Sequence, residues 1–114
     1  MKEIATRAKS QAPPAWVVWE ALSNRDEEWL SLAEDEVRPT VVEADRPRTL
    51  VWSSLWQTRP KDLIRFELSD HGAGCLLRWR LLTPDSPPTD DDVRRLRHRL
   101  NYLINGELRR TFDN

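Results

Sequence analysis

Apolar and polar positions change rhythm twice along this chain. Residues 2–10 alternate in part, with Ile4, Thr6 and Ala8 set against Glu3, Arg7 and Lys9, which predicts a solvent-edged strand. Ala12-Pro13-Pro14 breaks it, and Pro14 suits the first turn of a helix, where its missing N–H costs nothing. Ala15, Val18, Trp19 and Leu22 then share a helical stripe, so a helix is expected to about Leu22, ended by Ser23-Asn24. Asp26 to Leu32 reads as a second short helix, with acids in its first turn and Trp29 and Leu30 as its apolar contacts.

From Val37 the rhythm becomes that of strands. Val37–Ala44, Thr49–Gln57, Asp62–Ser69 and Gly74–Thr83 are rich in β-formers and separated by turn-like breaks. Ile64, Phe66 and Leu68 oppose Arg65 and Glu67; Cys75, Leu77, Trp79 and Leu81 oppose Arg78 and Arg80. A tight turn around His71-Gly72 would set Phe66 near Leu77 and Ile64 near Trp79 on one buried face. The facing of Thr49–Gln57 stays open: either Trp52, Ser54 and Trp56 point inward, or Val51, Ser53 and Leu55 do.

A proline-rich connector, Thr83 to Pro88, precedes a long helix over about 90–111. Thr89-Asp90-Asp91-Asp92 resembles a capping box, with Thr89 as N-cap and Asp92 reaching back. Val93, Leu96, Leu100, Leu103, Ile104 and Leu108 form the apolar stripe. The expected fold is α+β: an antiparallel sheet with the first strand at an edge, two short helices after that strand, and the C-terminal helix covering the apolar face.

Composition narrows the function. A chain of 114 residues is the size of one domain. Eighteen Lys and Arg against nineteen Asp and Glu give a net charge of −1, which argues against a nucleic-acid partner. The six tryptophans offset a low apolar content of 39%. Cys75 is the lone cysteine, so no intrachain disulfide forms; this fits a reducing cytoplasm. The start lacks a signal-peptide pattern, and the longest apolar run, Ala15 to Trp19, is too short to span a bilayer.

Candidate chemistry is thin. His71 sits in a turn and His98 among arginines off the stripe, neither with neighbours at metal-ligand spacing, so no metal is expected. Cys75 reads as a small core residue, Ser53-Ser54 lacks the setting of a nucleophile, and three glycines build no phosphate loop. The arginines of the long helix meet acids along the same helix, the mark of a salt-paired solvated face. The acidic stretch Asp26–Glu36 could attract a basic partner or those helix arginines. Trp16 lies off the buried stripe and is either an exposed contact for a partner or packed under a loop, with packing favoured.

Several strings resemble the START-like or Bet v 1-like superfamily, also called SRPBCC, in its polyketide cyclase-like or Hsp90-ATPase-activator-like branches. They are Ala12-Pro13-Pro14 with Val18-Trp19-Glu20-Ala21-Leu22, then Leu50-Val51-Trp52-Ser53-Ser54, then Ile64-Arg65-Phe66-Glu67-Leu68 and Leu76-Leu77-Arg78-Trp79, then the Leu-rich helix. The stretch between Trp29 and Val41 is short for that family, which implies a shortened sheet within one domain over 1–114. Trp16 replaces an acid common in the family's first helix.

The resemblance implies a helix-grip with an apolar space between sheet and helix, and binding of a small hydrophobic or aromatic ligand there. The expected ligand-binding residues are Trp52, Ser54, Trp56, Phe66, Leu77, Trp79, Leu100, Tyr102, Leu103 and Ile104, with no cofactor. Two alternatives remain: a polyketide cyclase- or dehydratase-like enzyme, for which no convincing catalytic constellation is present, and a protein-interaction module or homodimer. The tryptophans that would line a pocket could also fill it, so a partly filled or open groove is expected rather than a sealed cavity.

Overall fold

The structure is a computed structural model that describes residues 1–112. Five antiparallel strands form one curved sheet: β1 (Lys2–Gln11), β2 (Val41–Asp45), β3 (Thr49–Ser53), β4 (Leu63–His71) and β5 (Gly74–Thr83), in the order β1-β5-β4-β3-β2. Helix α1 (Ala15–Ser23) follows β1, and α2 (Asp90–Tyr102) runs on into a π-helical stretch, Leu103–Leu108. Side chains of α1, the inner sheet face and the long helix share one buried cluster.

Strict alternation on β4 and β5 makes the sheet two-faced. Ile64, Phe66, Leu68, Cys75, Leu77, Trp79 and Leu81 are buried. On the outer face Glu67 accepts from Arg65 at 3.1 Å and from Arg80 at 2.8 Å, and Arg80 also pairs with Glu3. The hairpin pairs Phe66 with Trp79, Ile64 with Leu81 and Leu68 with Leu77, two residues from the expected register. The two-residue loop is Gly72-Ala73, with Gly72 at φ 59°, as a turn with glycine first requires. A two-residue shift preserves facing, so the buried set is unchanged.

Three expected elements differ. Asp26–Leu32 is a series of turns, not a second helix; Leu30 N–H to Glu27 O is a single-turn bond. Trp29 and Leu30 instead anchor this loop in the core. The strand expected from Val37 starts at Val41, because Pro39 has no N–H for the ladder. Residues 36–40 still follow β3's continuation irregularly, through Val37 N–H to Leu55 O at 2.7 Å and a Glu36–Trp56 bridge. The strand from Thr49 stops at Ser53, where Ser54 Oγ takes the Trp56 N–H at 3.0 Å and turns the backbone.

The open facing is resolved: Leu50 pairs with Phe66 and Trp52 with Ile64, so both point inward. At the long helix, Thr89 Oγ1 accepts the Asp92 N–H at 3.2 Å, but the Asp92 carboxylate turns to Arg95 at 3.2 Å rather than back. Trp16 is 55% exposed, not packed under a loop. Among the described residues, no helix is long and apolar enough to cross a membrane.

Candidate functional site

Tryptophan needs an acceptor for its N–H when buried, and following those acceptors maps the interior. Trp52 donates to Leu22 O at 3.0 Å, tying the sheet to the end of α1. Trp79 donates to Asn101 Oδ1 at 3.2 Å, tying it to α2. Trp56 donates to Glu36 Oε2 at 3.2 Å. Trp19, at the edge, donates to Thr49 O at 2.9 Å. Trp29 is buried, and its indole N–H has no partner among the described residues.

Trp29, Trp52 and Phe66 form one aromatic group. Trp29 and Trp52 stack with centroids 6.1 Å apart at 24°, and Phe66 meets Trp52 edge-on at 4.7 Å and 73°. Around them the expected site residues Leu77, Trp79, Leu100, Leu103 and Ile104 are fully or almost fully buried, and Trp56 and Ser54 are buried beside Leu55. These side chains fill the space between sheet and helix. Tyr102 stands apart: it is 47% exposed, on the far side of the helix, under the Arg99 guanidinium at 5.5 Å. Asn105 turns to Gln11 and Asn101. His98 is exposed.

The loop between α1 and β2 is fastened to α2 by an ion pair. Glu36, 2% exposed at its side chain, accepts from Arg99 Nε at 2.9 Å and Nη2 at 2.8 Å. It also accepts the Ala33 N–H at 2.8 Å and the Trp56 N–H. Arg99 Nη2 reaches Ser31 O at 2.6 Å as well. Burial alone would raise the Glu36 carboxyl, but the Arg99 hydrogen bonds, the Ala33 N–H, the Arg99 charge and the Trp56 N–H together hold it below the ordinary range. The acidic stretch thus engages an arginine of the helix, one of the two roles it was expected to fill. Burial and the nearby Asp70 push the Cys75 thiol up, away from thiolate chemistry.

Open space lies at the rim. A cleft of about 600 Å³ is bounded by Glu20, Asn24 and Glu27, by Trp29, and by Thr111 beyond the long helix. A second, of about 300 Å³, shares Trp29 and Thr111 and adds Glu28, Glu107 and Arg110. Trp29 therefore lines both clefts and stacks on Trp52. The pattern of the sequence placed Trp29 on a helix and Glu36 in a general acidic stretch; neither carried a periodic signal for the position it holds.

No protein-family model and no curated protein matches the sequence. Solved structures share the fold. CalU16 from Micromonospora echinospora aligns with a TM-score of 0.72 at 15% identity, over 95% of this chain and 73% of that one. Protein MLL2253 from Mesorhizobium loti gives 0.72 at 17% identity over 96% of both chains. The Aha1 dimer from Colwellia psychrerythraea gives 0.70 at 12% identity over 92% of both. DynU16, of the dynemicin biosynthetic locus, gives 0.72 at 17% identity over 96% of this chain and 47% of its own length. The chain therefore shares with these proteins a helix-grip fold, an antiparallel sheet closed by a long C-terminal helix, and that fold hosts many tasks.

Proposed function

We propose that the protein binds a small hydrophobic or aromatic ligand at the aromatic end of the space between the sheet and the C-terminal helix. The observation that carries this reading is the Trp29–Trp52–Phe66 group, set behind a cleft of about 600 Å³. Flat ligands gain from stacking on such rings, and apolar burial contributes roughly 25 cal/mol per Å² before association costs. Leu100, Leu103 and Ile104 supply the apolar wall on the helix side. The likeness to DynU16, from a biosynthetic locus, agrees with a small-molecule task. Sequestration fits better than catalysis, because the buried Glu36 is committed to Arg99 and His98 faces solvent.

A protein-interaction role is the second reading. It is favoured by the exposed Trp16 and by the likeness to the Aha1 dimer.

Titration of intrinsic tryptophan fluorescence with a panel of hydrophobic compounds tests the first reading. A saturable change at one site supports it. A panel that gives no saturable change, on protein shown to be folded, overturns it.

A further inference from the structure

Trp29 is placed as a ligand would be. It belongs to an irregular loop, yet it is 6% exposed and stacked on Trp52. Each of the other buried indoles donates a hydrogen bond into the structure, and the Trp29 N–H finds no acceptor among the described residues. A buried donor without an acceptor favours any arrangement that finds one. Such acceptors are at hand in the cleft that Trp29 lines, whose other lining residues include Glu20, Ser23, Asn24, Glu27 and Thr111. That cleft, at about 600 Å³, has room for an indole side chain.

We propose that Trp29 is an internal plug, filling the position of a flat, uncharged aromatic ligand against Trp52 and Phe66, and that such a ligand enters as Trp29 moves outward into the cleft. The inference rests on the ligand-binding reading above and names how that site is occupied and opened. The strap that sets the balance is the Glu36–Arg99 pair with the Arg99–Ser31 bond, which fastens the Trp29 loop to α2. Stacking and apolar burial favour the plug; an acceptor for the N–H and the incoming ring favour the open form. The two rings compete for one place, so the plug lowers apparent ligand affinity by the fraction of time the place is free.

The test uses the full chain and indole as the probe. Trp29→Ala vacates the position and is expected to bind indole tighter than the unmodified protein, on the order of tenfold or more, by calorimetric titration. In the unmodified protein labelled with 5-fluorotryptophan, the fluorine signal lost in Trp29→Phe reports the plug. Indole is expected to move that signal to a solvent-exposed value, and Arg99→Met is expected to reach the same state at lower indole concentration. If Trp29→Ala does not fold, the fluorine titration of the unmodified protein and of Arg99→Met decides alone.

Folded Trp29→Ala that binds indole no better than the unmodified protein overturns the plug. So does saturable binding to the unmodified protein with the Trp29 signal unmoved, although that result leaves the ligand-binding reading standing. Binding to neither protein, by indole or by the wider panel, removes both.

Discussion

Replacing Arg99 with methionine removes the counter-charge of Glu36 while keeping most of the aliphatic stem. The Glu36 side chain is 2% exposed and that of Arg99 24%, so solvent screens the pair weakly. Two of the four donors to the carboxylate remain, the Ala33 N–H and the Trp56 N–H. Leaving one partner of a buried pair unpaired costs about 3–5 kcal/mol. The surviving donors and the neighbouring cleft of about 180 Å³, which admits water, place the loss at the lower end, about 3 kcal/mol. For a chain of this size that corresponds to a fall in Tm of roughly 10 °C.

The pH dependence carries a sign. The Glu36 carboxyl is held below its ordinary 4.5, so its contribution is complete above that value and is lost as pH falls through the lowered one. In Arg99→Met the same carboxyl, desolvated and without its cation, moves upward. The variant's deficit is therefore largest near pH 7 and narrows as the solution is taken to about pH 3. Urea unfolding followed by far-ultraviolet circular dichroism at both values measures it. A deficit below about 1 kcal/mol at pH 7, or one equal at both values, refutes the assignment of the pair as the loop's fastening.

Other substitutions probe other parts of the fold. Gly74→Ala places a Cβ 2.1 Å from Gln11 O and 2.7 Å from Ala12 O, both backbone atoms, so a loss of about 2–3 kcal/mol is expected in the same unfolding assay. Leu100→Ala, at a fully buried helix position, is expected to cost about 3 kcal/mol; a loss under ~1 kcal/mol would show that the helix does not pack there. Thr89→Ala removes the acceptor of the Asp92 N–H and is expected to cost about 1 kcal/mol. Cys75 is expected to react with a thiol reagent far more slowly in folded than in urea-unfolded protein, and fast labelling of the native state would contradict its burial.

Period and punctuation in the sequence were enough for the architecture. Alternation in Ile64–Leu68 and Cys75–Leu81 determines which side chains are buried, because facing depends only on parity and survives a two-residue error in register. The stripe from Leu96 to Leu108 determines which face of the long helix is buried, since helical spacing fixes it locally. Pairing across the hairpin was not so determined: the geometry of the Gly72-Ala73 turn selects it, and residue types alone allow neighbouring choices.

The candidate site was legible in part. Phe66, Trp79, Leu100, Leu103 and Ile104 follow from periodicity, and all are buried together with Trp52, whose facing only the pairing with β4 decided. Tyr102 was expected among them from its nearness to the stripe, but its own helical angle turns it to solvent beside Arg99. Trp29 and Glu36 lie in an aperiodic loop. Their burial depends on partners far along the chain, Trp52 for one and Arg99 for the other, 63 residues away. Such long-range contacts leave no local pattern. The sequence by itself determined the sheet, its cover and the apolar face between them; only the tertiary structure decided that a loop tryptophan occupies the aromatic end and that one buried ion pair holds it there.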